Sequence, residues 1–289
     1  MAAKDKSIYE LFTIRSNDGE KTVDLRAAIL TFSYFENLFS PMITAQVLIT
    51  TTGNVIPDAD GELTSIYNGL PLRGGEKVSI KIPANSENNV DLEFTEELGT
   101  ELYVGSITNV IIEAEKEIFT LNLVSREAIT NETQRIGKKF PVTEKISDSV
   151  QEIIKKYLLS DKTVDVDDTQ NPYGFIGNMK KPFTIITWLA SKSVPGEVGG
   201  KSATAGYFFF ETKEGYHFRS VDSLIKQEPY QIEYTYSPKI VDNQAADADF
   251  KILKYETTRN QNLIQNLERG AYCTYRMYYN PYSMSFTTP

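Results

Sequence analysis

The chain has 289 residues, 40% of them hydrophobic and 24% charged, with a formal net charge of −9, a composition that fits a packed globular protein and excludes a disordered one. A single histidine and a single cysteine exclude an internal disulfide, a zinc site of four cysteines or of two cysteines and two histidines, and a three-histidine catalytic zinc site. No apolar run reaches the roughly 20 residues of a membrane helix, and the start MAAKDKSIYE lacks the apolar stretch of a signal peptide, so synthesis in a reducing cytosol without membrane insertion is expected.

Strands are predicted first. Ile8–Arg15, Leu30–Phe35, Ile43–Ile49 and Val78–Ile82 are short and rich in β-branched and aromatic residues, and Ile43, Ala45, Val47 and Ile49 fall two apart, the period of a half-buried strand. Leu102–Ile112 and Ile118–Val124 flank the charged connection Glu113–Glu117 and read as a long hairpin. Turn residues at 17–19, 60–61, 74–75 and 85–89 punctuate the series. Several short strands with little helix between them predict an antiparallel barrel or sandwich over residues 1–130.

Near residue 127 the texture changes. Thr143 is placed to cap a helix whose apolar positions Ile146, Val150, Ile153, Ile154, Tyr157 and Leu158 recur at helical spacing. A second helix is expected to begin at Pro182, run through Phe183, Ile186 and Leu189, and stop before Pro195-Gly196. Asp165–Gly177 between them reads as loop. Tyr207–Glu211 and Tyr216–Val221 read as a hairpin around Thr212–Gly215. A mixed α/β domain over 131–241 follows. Residues 242–249 read as a loop or linker, and the tail from Ile252, through the aromatic Tyr272–Tyr279, as strand-like.

Charge is divided unevenly. Residues 1–130 carry 10 Lys+Arg and 20 Asp+Glu, while residues 131–289 carry 20 and 19. The acidic part opposes binding to a phosphate backbone, because such affinity is built from cations.

Candidate chemistry is sparse, and neither a catalytic residue, a cofactor nor a metal is expected. Pro195–Ser202 ends like a phosphate loop, but Pro stands where the first glycine belongs, and the flanking elements are reversed. His217, the one imidazole on which a nucleophilic triad would depend, sits inside a predicted strand, and Cys273 reads as a small core residue. Glu96-Glu97 and Asp165–Asp168 could supply an acid pair for a glycosidase but read as solvated turns. Asp58–Gly61 and Asp165–Asp167 lack the remaining ligands of a calcium loop. Tyr207-Phe208-Phe209-Phe210 offers rings to both faces of one strand, so one face is available to helices and the other to a sheet or a subunit interface.

The run Lys181–Ser193 (KPFTIITWLASKS), a Gly/Ser connector, and Gly206–Ser220 (GYFFFETKEGYHFRS) resemble the baseplate central hub proteins of T4-like contractile-tailed bacteriophages, which are related to the hubs of other contractile injection systems. Phe35–Pro41 (FENLFSP), Ala45–Ile49, Gly74–Ile80 and Lys226–Tyr230 are similar to further blocks of that family, in the same order. The resemblance implies a mainly β chain with an α+β part, in which two tail-tube-like antiparallel β-barrels flank a mixed α/β region; this sequence departs from that pattern, since the residues after the aromatic hairpin allow only a linker and a partial second barrel over 242–289. It implies a structural protein of the virion tail baseplate, assembled in the host cytoplasm, rather than an enzyme. A homotrimer would form a pseudo-sixfold ring joining the tail tube to the cell-puncturing spike, with a channel for genome passage.

The implied partners are the spike protein, tail-tube initiator proteins, baseplate wedge proteins and the tape measure protein, with DNA only in passage. Candidate interface or packing residues are Phe35, Leu38, Phe39, Phe183, Trp188, Tyr207, Phe208, Phe209 and Phe210. A channel that releases DNA is expected to repel it, so Glu93, Glu96, Glu97, Glu101, Glu113, Glu115 and Glu117 are candidates for an acidic lumen. Two other classes remain open on these residues: a carbohydrate-binding or adhesin-like tail protein, and a tail-associated hydrolase.

Overall fold

The computed structural model describes residues 8–52, 56–57, 63–84, 90–113, 116–196, 206–228, 234–236, 251–252, 254–269 and 277–287. The chain divides into two compact units, Met1–Pro229 and Tyr230–Pro289.

The first unit opens with strands β1 (Leu11–Arg15), β2 (Thr22–Asp24), β3 (Ile29–Phe35) and β4 (Thr44–Thr51). A short pair, β5 (Ile56–Pro57) and β6 (Leu63–Thr64), precedes helix α1 (Ile66–Gly69), and strands β7 (Lys77–Ile82), β8 (Leu92–Phe94), β9 (Leu102–Glu113) and β10 (Lys116–Ser125) follow. Eight of these strands form one antiparallel sheet in the order β2-β1-β7-β9-β10-β4-β3, with β8 on β7. Its two outer strands, β2 and β3, are consecutive in the chain and are joined by Leu25–Ala28.

That connection forces curvature. The stretch from Asp24 to Ile29 spans at most about 18 Å, whereas a flat seven-strand path would hold its edges about 29 Å apart. The sheet therefore curls into a half-open barrel, and the connection is tied to the strand beside each of its ends, Leu25 N–H donating to Phe12 O of β1 and Thr50 N–H of β4 to Ala28 O, both at 2.8 Å. The inner face is the expected alternation: Phe12 and Ile14, Ala45, Val47 and Ile49, Val78 and Ile80, and Phe119, Leu121 and Leu123 are buried in one core.

A second core lies in the α/β part. It is built from α2 (Arg126–Thr133), β11 (Lys139–Phe140), α3 (Ile146–Lys156), β12 (Thr163–Val166), β13 (Phe175–Ile176), α4 (Pro182–Ala190), β14 (Tyr207–Thr212), β15 (Gly215–Ser220) and α5 (Val221–Lys226). Helix α3 buries Ile146, Val150, Ile153 and Ile154 on one stripe, and α4 starts at Pro182 as predicted. Thr143 does not cap α3. Its N-cap falls at Lys145, whose side chain makes no capping bond, and the buried Thr169 hydroxyl accepts from Ser147 N–H at 3.1 Å, a cap supplied from elsewhere in the chain.

The expected loop over 165–177 is corrected at both ends. Thr163–Val166 forms β12, which runs parallel to β15 in a sheet of order β12-β15-β14, and Phe175–Ile176 pairs with Lys139–Phe140. Gly215 starts β15 at φ +143°, where a Cβ would lie 2.2 Å from Thr163 O, so only glycine allows the two strands to meet. The predicted hairpin of β14 and β15 is present, registered from Tyr207↔Ser220 to Thr212↔Gly215.

In the second unit, β16 (Thr235–Tyr236) pairs with β17 (Lys251–Ile252), and β18 (Tyr278–Asn280) pairs with β19 (Ser285–Thr287). The tail was expected to be strand-like, but it also carries helix α6 (Leu263–Glu268), capped by the Asn262 side chain accepting from Gln265 N–H at 3.0 Å. The expected linker at 242–249, most of the Gly/Ser connector and Cys273 lie outside the described residues.

Candidate assembly surface

Strand β9 is twelve residues long, yet on its β7 side it pairs only through Leu102 and Tyr103, with Val104 bonded to Gly75 and Glu76. Among the described residues, the rest of that edge, from Gly105 to Glu113, has no ladder partner. The other side of β9 pairs with β10 throughout, apart from register shifts that bring Asn109 into the left-handed region at φ 54°. Such a bulge ends regular pairing and redirects the strand. Beyond it Val110, Ile111 and Ile112 are exposed in succession. On the solvent face of the same sheet Asn122 donates to Ser106 Oγ and Thr108 Oγ1 at 3.1 and 3.3 Å and accepts from Gln46 at 3.2 Å, a neutral amide and hydroxyl ladder.

The junction between the two cores is ionic. Lys162 Nζ lies 2.8 Å from Glu127 Oε2 and 2.6 Å from Glu211 Oε1, and both carboxylates are buried. Glu211, on β14, also accepts from Ile43 N–H at 2.9 Å and Ser125 Oγ at 2.7 Å, so one side chain of the α/β part ties down two elements of the barrel. Burial pushes the Glu211 carboxyl up, against the pull of Lys162. Burial also works on Glu127 and Lys162, but there the ion pairs outweigh it: Glu127 is held below and Lys162 above its ordinary value. Sequence reasoning missed this cluster. The signal for half of it was present, since Tyr207, Phe209 and Glu211 share the alternation that buries the first two.

The aromatic candidates separate by face. Tyr207, Phe209 and Phe183 are buried in the second core, where the Phe209 ring lies 5.8 Å from Phe183. Phe208 and Phe210 point the other way: Phe208 meets the ring of Phe39 edge-on at 5.4 Å, and Phe210 stacks on His217 at 4.9 Å. Phe35, Leu38, Phe39 and Trp188 are exposed. The buried three are therefore packing residues, while the exposed four remain available to a partner.

The acidic candidates also divide. Glu96, Glu97 and Glu113 are exposed and Glu93 is half-buried. Glu101 and Glu117 are buried, which corrects their assignment to a lumen. Glu101 accepts from Ser79 Oγ at 2.8 Å and pairs with Arg15, and Glu117 accepts from the first-turn amides of α1, Ile66 N–H at 3.0 Å and Tyr67 N–H at 2.9 Å. Glu96 receives a hydrogen bond from Arg15, which holds its carboxyl below the usual range. Glu115 lies outside the described residues.

His217 has Thr212 Oγ1 at 2.8 Å from Nε2 and Asp165 Oδ2 at 3.4 Å from Nδ1. The Thr212 hydroxyl also accepts from Glu214 N–H at 3.3 Å within the hairpin turn, so the network closes the hairpin onto β12. Among the described residues, no group of three His, Cys, Asp or Glu side chains is placed to hold a metal.

No family model matches the chain, and no curated protein matches it. Among solved structures it is similar to the 43 kDa tail protein of prophage MuSo2 from Shewanella oneidensis, with a TM-score of 0.47 and 11% identity over 72% of this chain and 54% of that one. It is also similar to a tail protein from Neisseria meningitidis, with a TM-score of 0.42 and 11% identity over 72% and 49% of the two chains. A third likeness is to an E. coli component of the type VI secretion system, described as structurally similar to the T4 bacteriophage tail proteins gp27 and gp5, with a TM-score of 0.38 and 10% identity over 75% and 47%. The chain thus spans about half the length of the proteins it matches.

Proposed function

We propose that the chain is a structural subunit of a contractile phage tail: the baseplate hub, three copies of which form a pseudo-sixfold ring between tail tube and spike. The observation that carries this reading is the edge of β9 beyond Val104, which has no ladder partner among the described residues of the curled sheet. An unpaired edge of this length is an invitation to add a strand from another chain, and a solitary protein would be expected to block it. Among the described residues β2 pairs only with β1 and β3 only with β4, so each copy also presents edges away from that of β9. Joining unlike edges head to tail generates a ring when the rotation closes.

In this reading Phe35, Leu38 and Phe39 lie at or near the contact between copies, and Glu96, Glu97 and Glu113 face the channel through which DNA passes. The spike protein below, tube-initiator proteins above, wedge proteins around and the tape measure protein within the channel are the partners of the ring. Native mass measurement of the chain mixed with the trimeric spike protein of the same tail tests it. A complex of three hub chains and three spike chains is expected; a hub chain that stays monomeric and unbound contradicts the reading.

A further inference from the structure

The buried cluster at the junction of the two cores has the parts of a reaction as well as those of an ion pair. Lys162, immediately before β12, brings a primary amine to within 2.6 Å of Glu211 Oε1 and 2.8 Å of Glu127 Oε2. Both carboxyls are buried and the lysine side chain is 15% exposed. Tyr216, fully buried, lays its ring 5.8 Å from Nζ and walls the cluster on that side, and among the described residues its hydroxyl makes no hydrogen bond. Exclusion of bulk water favours condensation and protects an amide from hydrolysis.

The two carboxyls are not equivalent. Glu211 turns Oε1 to the amine, while its Oε2 accepts from Ile43 N–H at 2.9 Å and from Ser125 Oγ at 2.7 Å. A backbone amide and a hydroxyl fixed on one carboxyl oxygen are the donors that stabilise the charge of a tetrahedral intermediate. Burial also pushes the Glu211 carboxyl up, against the pull of Lys162, and a carboxyl with less charge is more open to attack by an amine. Burial acts on Glu127 too, but there Lys162 and Ser160 prevail and keep it charged, the state in which it accepts a proton. Nucleophile, electrophile, base and oxyanion donors thus stand within one hydrogen bond of each other.

We propose that Lys162 and Glu211 condense into an amide, an internal cross-link that the folded chain makes on itself. Glu127 takes a proton from Nζ and returns it to Glu211 Oε1, and the freed lone pair attacks Glu211 Cδ. The Nζ–Cδ bond forms, a second Nζ proton follows the first, and the Cδ–Oε1 bond breaks to release water. The third Nζ proton stays on the amide nitrogen and Glu127 ends as it began, so the balance needs no further reactant. Although burial works against the charge on Lys162, its ion pairs keep the proton there at rest, which makes the step slow. It has to occur only once per chain, and fixed geometry replaces a bimolecular encounter. The ion pair is the state that precedes condensation, and loss of Lys162 removes both. The bond ties β14 to the start of β12 across β15, between residues 49 positions apart.

The intact mass of the purified full chain tests the cross-link. Wild type should weigh one water less than its sequence, and tryptic digestion should yield a branched peptide that joins Lys162 to Glu211 and is uncut after Lys162. Lys162→Arg keeps the charge without a primary amine and should stay at full mass. In newly synthesised chain, Glu127→Gln and Ser125→Ala should each slow the loss of water about a hundredfold, with circular dichroism like that of wild type showing that the fold is intact. Should a variant misfold, the wild-type mass and its branched peptide decide alone. A folded wild type that keeps its full mass through prolonged incubation overturns the proposal. So does water lost elsewhere, as at Asn68-Gly69, or a branched peptide that joins Lys162 to Glu127. Condensation of Glu127→Gln at the wild-type rate overturns the assignment of Glu127 as the base.

Discussion

Replacing Lys162 with Met keeps the length and apolar stem of the side chain and removes its charge from between Glu127 and Glu211. The lysine is 15% exposed and the two carboxylates 1% and 0%, so water can do little to replace it. Glu211 keeps Ile43 N–H and Ser125, and Glu127 keeps Ser160, but neither retains its close cation. Removing one partner from a buried ion pair costs about 3–5 kcal/mol, a large part of the roughly 5–15 kcal/mol that holds a typical domain together. The loss has a signature in pH. Without the Lys162 charge, burial raises the Glu211 carboxyl further above its unfolded value and pushes Glu127 up against Arg126 alone, 3.7 Å away, so the folded variant binds more protons than the unfolded chain. Its deficit is then smallest in mild acid and grows as pH rises, by up to about 1.4 kcal/mol per unit for each carboxyl that titrates. Urea unfolding of wild type and Lys162→Met, followed through the single tryptophan, Trp188, at about pH 5 and about pH 8 reads both quantities. A deficit under about 1 kcal/mol at the higher pH, or one that does not shrink at the lower, would refute the reasoning, since that is how an exposed pair behaves.

Other outcomes follow from the same geometry. Glu117→Ala removes the acceptor of the Ile66 and Tyr67 amides and should cost about 1–3 kcal/mol, seen as a lower urea midpoint; an unchanged midpoint would mean that these donors find other acceptors. Gly215→Ala places a methyl against Thr163 O at a φ that L-residues avoid and should cost about 1–3 kcal/mol, with hydrogen exchange accelerated first at Val164 and Val166. Lysine at Glu96, Glu97 and Glu113 together should make the assembled protein retain duplex DNA at low salt and release it at high salt. If retention is unaltered, those acids face somewhere other than the channel.

The barrel was legible because its strands obey one period. Ile43, Ala45, Val47 and Ile49 are all buried while Thr44, Gln46 and Leu48 between them are not, and a curled sheet with one packed face imposes that pattern locally. Helix α4 announced itself through Pro182, and the aromatic hairpin through Gly215 between two runs of rings. What was missed depends on residues far apart in sequence. Strand β12 was hidden because Asp165 and Asp167 interrupt Val164 and Val166, and it exists only because β15, about fifty residues later, offers an edge. The N-cap of α3 is completed by Thr169 rather than by a neighbour. Counting acids could not distinguish Glu96, on the surface, from Glu101 and Glu117, which serve as internal acceptors. Glu211 was readable as buried, but its counter-ion Lys162 lies 49 positions away, and no periodicity links the two.

In the proposed assembly, copies of the chain join into a ring through the edge of β9 beyond Val104. Electron cryomicroscopy of the chain bound to its spike protein tests it most directly. Three hub chains around a central channel are expected, with a strand of the neighbouring copy hydrogen-bonded along Gly105–Asn109. Single hub chains on the spike, or a ring in which that edge stays in solvent, would contradict it.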